Sequence, residues 1–123
     1  MREDDLQTMI FDWARIKTYQ YPELEYMYHV PNGGSRHAAE ARKFKRMGVK
    51  SGVPDIVLPV PRGGYAGLYV ELKVGNNKPT ENQRRYLEFL ESQGYCTQVH
   101  YSFDTATAAI EYYLELGASG IAQ

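Results

Sequence analysis

Residues 52–57 read Gly52-Val53-Pro54-Asp55-Ile56-Val57, and residues 70–73 read Val70-Glu71-Leu72-Lys73. Successive side chains of a strand point to opposite faces, so Glu71 and Lys73, two apart, share one face. Asp55 opens an apolar run, DIVLPV (55–60), and Glu71 sits inside a second, GLYVELKV (67–74). Between them Pro61-Arg62-Gly63-Gly64 supplies turn residues for a hairpin. If the two strands pair, Asp55 approaches Glu71 on the face that also carries Lys73. Charges within apolar strands are costly unless they are paired or bound to metal. An isolated Glu-x-Lys in a strand reads as a salt bridge. The Pro-Asp at the head of the neighbouring strand shifts the reading to a reactive site.

Around this hairpin the pattern is regular. Leu6, Met9, Ile10, Trp13 and Ile16 fall at helical spacing and predict a helix from Asp4 to about Tyr19, stopped by Pro22. Tyr26 to Val30 reads as a short strand, and Asn32-Gly33-Gly34 as a turn. Ser35 is placed to cap a second helix ending near Gly48, with Ala38, Ala41 and Phe44 as its apolar stripe. Thr80 with Gln83 three residues on is a capping-box pattern, opening a helix that ends at Gly94. Cys96 to Tyr101 is a fourth strand. Ser102 or Asp104 caps a last helix to about Leu116. The order α-β-α-β-β-α-β-α predicts an α/β fold, a mixed sheet flanked by helices.

A chain of 123 residues with 43% hydrophobic residues suits one domain over residues 1–123. The net charge of −1 argues neither for nor against a polyanionic partner, but its distribution is uneven. From Gly34 to Lys50 there are six basic residues, Arg36, Arg42, Lys43, Lys45, Arg46 and Lys50, against one acid, Glu40. A merely solvated helix would interleave acids, so this patch reads as a surface that tracks phosphates, giving affinity with little sequence readout. The single cysteine, Cys96, excludes an intrachain disulfide and a Cys-rich zinc site. No apolar run approaches a membrane span, and the charged start Arg2-Glu3-Asp4-Asp5 does not read as a secretory signal. A cytoplasmic protein with no membrane partner is expected. The 11 tyrosines suit a core, a dimer interface or base stacking, and composition does not separate these.

Two adjacent carboxylates repel, and a divalent cation relieves the repulsion. Oxygen ligands select Mg²⁺ or Mn²⁺, which retain waters and also touch substrate phosphate. Such an ion polarises a phosphodiester and lowers the pKa of an attacking water. Lys73 is suited to orient that water or to stabilise the developing charge.

Pro-Asp followed by Glu-Leu-Lys resembles the signature of the PD-(D/E)XK nuclease superfamily. The wider sequence resembles its VRR-NUC branch through four ordered stretches. These are HVPNGGSRH (29–37), KRMGVKSGVPDIVLPV (45–60), GGYAGLYVELK (63–73) and KPTENQ (78–83). The resemblance implies a restriction-endonuclease-like fold with a metal site on the sheet. It implies that Asp55, Glu71 and the Leu72 carbonyl bind the metal and that Lys73 is the catalytic lysine. It further implies a glutamate on the first helix, matched by Glu3 with Asp4 and Asp5 leaving the register open, and a role for Gln83 beyond its cap. His29 and His37 fall in the matched stretches and are expected to be satisfied core or edge residues. Tyr86 does not fall at the spacing of a catalytic tyrosine.

The function implied is a metal-dependent DNA endonuclease without nucleotide cofactor. Small members of this branch resemble Holliday-junction resolvases of phage and bacterial genomes, which implies a homodimer acting on branched DNA. Trp13, Tyr19, Tyr112 and Tyr113 are candidates for its surface. The alternatives are a nicking or flap nuclease without junction preference and a non-catalytic DNA-binding module. The clustered carboxylates weigh against the latter.

Overall fold

In a computed structural model of the chain, residues 1–31 and 37–117 are described. Helix α1 spans Glu3–Lys17. Its three acidic residues in the first turn and Arg15 and Lys17 in the last oppose the helix dipole favourably. Leu6, Ile10 and Ala14, spaced by four, form its buried stripe. A 3-10 helix, Pro22–Tyr26, follows, with proline in its first turn. It shortens the strand expected over Tyr26 to Val30 to β1, Tyr28–His29. Helix α2 is Ala38–Arg46, with His37 at its N-cap. The Asn32-Gly33-Gly34 turn, the Ser35 cap and Arg36 lie outside the described residues.

Strands β2 (Ile56–Leu58) and β3 (Leu68–Leu72) form the expected antiparallel hairpin. Helix α3 (Glu81–Ser92) then returns the chain to β4 (Cys96–His100), parallel to β3. A parallel neighbour requires such a crossover, which is why the helix separates these two strands. Helix α4 is Phe103–Leu114, capped by the Ser102 hydroxyl accepting from the Thr105 N–H. The sheet order is β1-β2-β3-β4, a mixed four-stranded sheet flanked by helices.

The sheet's two faces have different tasks. Ile56, Leu58, Leu68, Val70 and Leu72 alternate onto one face and meet α1 and α4 in the main core. Val57, Tyr69 and Glu71 alternate onto the other. Helix α3 packs against β4 and buries Leu87 and Leu90.

The hairpin turn is tied to the rest of the molecule. The Arg62 guanidinium pairs with Glu23 and donates to the Leu114 carbonyl at 3.3 Å. The Gly63 N–H donates to the Gly117 carbonyl at 2.8 Å.

One aromatic side chain differs from expectation. Tyr113 is buried, not a surface residue, because it falls on the same face of α4 as Ala106 and Ile110. Its hydroxyl donates to the Val60 carbonyl at 2.6 Å, and burial pushes its pKa up to about 12. Trp13 is packed against the core, whereas Tyr19 and Tyr112 are exposed as expected.

Tyr113→Phe keeps the packing and deletes that hydrogen bond. It should lower stability by about 1 kcal/mol, or about 3–6 °C in Tm by scanning calorimetry. An unchanged Tm would show that the bond contributes nothing.

Candidate active site

The β2–β3 register pairs Ile56 with Val70, so Asp55 stands one rung further on, opposite Glu71. Strand alternation puts both on the face away from the main core, and Lys73, two residues beyond Glu71, returns to it. All three are buried: Asp55 is 8%, Glu71 1% and Lys73 7% exposed. Among the described residues, Thr107 is the only other polar residue buried this far.

The two carboxylates differ in support. Asp55 Oδ2 accepts the Leu72 N–H at 2.8 Å, a bond that locks it to β3. No N–H or hydroxyl donor reaches either Glu71 oxygen, and its nearest cation is Lys73 Nζ at 3.8 Å; its one polar partner is the facing Asp55 carboxyl, with which it forms a side-chain hydrogen bond when protonated. Burial raises the pKa of both carboxyls. For Asp55 the Leu72 N–H pulls the other way, as do the hydrogen bond from Glu71 and the charges of His29 and Lys73. For Glu71 burial acts first and repulsion from Asp55 adds to it, so its pKa is pushed up to about 8. The facing pair therefore holds a proton more tightly than free carboxyls do, and Glu71, which lacks the Leu72 N–H that supports Asp55, is the more strongly raised of the two.

Glu3 lies close enough to add to this repulsion on Glu71. It is half-buried at the start of α1, while Asp4 and Asp5 are exposed. Asp4 lies 4.0 Å from Arg2, and the Asp5 carboxylate accepts the Arg2 N–H at 3.1 Å. Among the three acids of that turn, Glu3 is thus the one turned towards the hairpin.

Gln83 occupies its cap. Its side-chain oxygen accepts the Thr80 N–H at 2.8 Å, and its own N–H donates to the Thr80 hydroxyl at 3.2 Å. His29 Nδ1 lies 2.9 Å from the Asp55 carbonyl oxygen, so that nitrogen carries the hydrogen. Arg42, Lys43, Lys45, Arg46 and Lys50 are all exposed on or just after α2.

Sequence reading missed the part played by Gly52. Its φ of +85° and a contact of 2.8 Å from a built Cβ to the Asn82 backbone leave no room for a side chain. The loop leading to Asp55 is thereby pressed against the first turn of α3, where the Asn82 amide donates to the Ser51 hydroxyl at 3.2 Å. The glycine before Val-Pro-Asp was the available signal.

A family model described as the VRR-NUC domain matches residues 1–104. The chain belongs to the VRR-NUC family. A solved structure described as a VRR_NUC domain protein superposes with a TM-score of 0.84 at 36% identity, over 97% of this chain and 93% of that one. No curated protein matches the chain. VRR-NUC membership implies a nuclease-type function in DNA processing and suggests a divalent metal.

The residues present fit such an ion. A buried carboxylate that no N–H or hydroxyl donor reaches, beside a second carboxylate, is a donor set for a hard cation. Among the described residues no three His, Cys, Asp or Glu side chains converge on one point. Mg²⁺ accepts that, since it keeps several waters and needs only one or two carboxylates.

The proton on Glu71 has a consequence for stability. Its folded pKa lies above its unfolded value, so the native state holds more protons between about pH 4 and pH 8 and stability falls as pH rises through that window. Glu71→Gln removes the titration. In chelator at pH 8 the variant should be more stable than the wild type by about 1–3 kcal/mol, with the difference fading towards pH 4. Equal melting temperatures at pH 8 would show that Glu71 is not held in a strained ionised state.

Proposed function

We propose that the chain is a Mg²⁺- or Mn²⁺-dependent DNA endonuclease that works at Asp55, Glu71 and Lys73, with branched DNA as its substrate. The observation that carries this reading is Glu71, a buried carboxylate that no N–H or hydroxyl donor reaches, set opposite Asp55 and beside Lys73. Asp55, Glu71 and the Leu72 carbonyl would hold the ion, and Glu3 would close the site from α1. The ion, when bound, polarises the scissile phosphate and acidifies the attacking water.

The protein's own groups do the rest. The Leu72 N–H keeps the Asp55 carboxylate aimed along the sheet face. Glu71 gives up its proton to act as a ligand, which makes site assembly better at higher pH. Lys73 is held near Glu71 by burial, so its ammonium is preorganised to meet negative charge developing on phosphate oxygens. Arg36, Arg42, Lys43, Lys45, Arg46 and Lys50 would contact the DNA backbone and supply affinity. Gln83 would act through the cap that fixes α3. The setting would be the cytoplasm of a bacterium or of its phage-infected cell.

Asp55→Ala, Glu71→Ala and Lys73→Ala should each abolish cleavage, by about 10²-fold or more, while folding and DNA binding persist. The measurement is a panel of linear, nicked, flapped and four-way DNA with Mg²⁺ or Mn²⁺, with binding read by anisotropy. Wild-type rates in Lys73→Ala would remove that residue from the chemistry. A wild type that cuts linear duplex as fast as four-way DNA would remove the preference for branches.

Cutting a four-way junction at two symmetric positions needs two such sites, and a two-fold dimer supplies them. Tyr19 and Tyr112 are large, exposed side chains suited to such a contact. Light scattering should give twice the 14.1 kDa chain mass. A monomer at all working concentrations, with and without DNA, would exclude the dimer.

A further inference from the structure

Helices α2 and α3 enclose an open groove of about 950 Å³ whose floor includes Ser51 and Gly52. Its walls carry Phe44 from α2 and Tyr86 and Phe89 from α3. Lys45, Lys50 and Arg85 border it. Among the described residues no acidic side chain lines it, in a chain with 15 Asp and Glu.

Two features leave the groove without a structural purpose. Helix α2 buries none of its own residues, although Ala41 and Phe44 line the groove. Phe89 is 60% exposed on a helix already anchored by Leu87 and Leu90. Aromatic rings facing a cleft with a purely cationic border match a ligand that presents both flat apolar faces and negative charge. Unpaired nucleotides do so: their bases stack on aromatic rings and their phosphates meet lysine and arginine. A duplex does not, because its bases are already stacked on one another.

The groove's position separates this ligand from an acidic peptide. Gly52 in its floor is three residues before Asp55 in the same loop. The groove therefore adjoins the loop that ends at Asp55. Lys45 and Lys50 bordering the groove belong to the cationic surface that continues over α2.

We infer that the groove between α2 and α3 is a subsite for unpaired bases of the nucleic-acid strand presented to Asp55, Glu71 and Lys73. This rests on the nuclease reading of that site and names the substrate feature it selects, a single-stranded segment flanking the cut. Phe44 and Phe89 are its stacking residues, with Tyr86 one helical turn from Phe89 on α3.

The test is binding of the wild-type protein in EDTA, where no metal-dependent cleavage intrudes. The probes are an oligothymidylate carrying one 2-aminopurine, an abasic oligomer of the same length, and a blunt duplex. The wild type should quench the 2-aminopurine and bind the base-bearing strand more tightly than the abasic one. Phe44→Ala and Phe89→Ala should each weaken binding of the base-bearing strand by about 5- to 150-fold. Both should leave the abasic strand and the duplex unchanged, and Phe89→Tyr should retain binding. Equal loss on base-bearing and abasic strands, or no quenching by the wild type, would overturn the subsite. So would a change of either alanine variant from dimer to monomer, which would make a second copy the occupant. Base-dependent binding by a protein that cuts no DNA with Mn²⁺ would overturn the nuclease reading and keep the groove. Base-independent binding by a protein that cuts would do the reverse.

Discussion

The arrangement depends on one cross-strand pair, Asp55 opposite Glu71. Two buried carboxylates facing each other are unfavourable, so something must hold them there. The β2–β3 register does so, and it is fixed at both ends. At the turn, Arg62 ties the hairpin to Glu23 and to the end of α4. At the open end, the Asp55 carboxylate takes the Leu72 N–H as its partner. That bond spans two strands, so a slip of one residue would break it and move Glu71 to the core face. The same bond supports Asp55 as an anion and leaves Glu71 the more strongly raised of the two.

The cost of this pair is met elsewhere in the sheet. One face of β2 and β3 carries only aliphatic side chains, sealed by Leu6 and Ile10 of α1 and Ile110 and Tyr113 of α4. Leaving a buried polar group unpaired costs about 1–3 kcal/mol, against a total stability of only about 5–15 kcal/mol for a typical domain. A four-stranded sheet sealed on one side supports that cost on the other. Period-two alternation thus separates packing from charge within single strands: Val70 and Leu72 face the main core, while Glu71 between them faces Asp55 on the other side of the sheet.

Most of this was legible in the sequence because it depends on local rules. The hairpin, the Thr80–Gln83 cap and the approach of Asp55 to Glu71 follow from alternation and turn residues. The mixed sheet flanked by helices follows from the order of elements. What was not legible depends on contacts between distant segments. Tyr113 reads as surplus aromatic surface until α4 is seated on the sheet, where it reaches the Val60 carbonyl. Pro22 reads as a stop, yet it also begins the 3-10 turn that shortens β1. The ambiguity among Glu3, Asp4 and Asp5 is one of rotation about the helix axis. The rotation that buries Leu6 and Ile10 leaves Glu3 half-buried and Asp4 and Asp5 exposed, a fact that charge alone does not encode.

Gly52 joins the two halves of the molecule's outer face. It is pressed on the Asn82 backbone, so the loop that ends at Asp55 is positioned by the first turn of α3. That turn is in turn set by the reciprocal hydrogen bonds of Thr80 and Gln83. Gln83 can therefore matter to Asp55 without touching a reacting atom, through the cap, then Asn82, then Gly52. The same turn forms one end of the groove between α2 and α3. A strand seated against Tyr86 and Phe89 would press on the element that holds the Asp55 loop. Recognition and chemistry then share a rigid support, which preserves the alignment of a cut with the strand that is gripped.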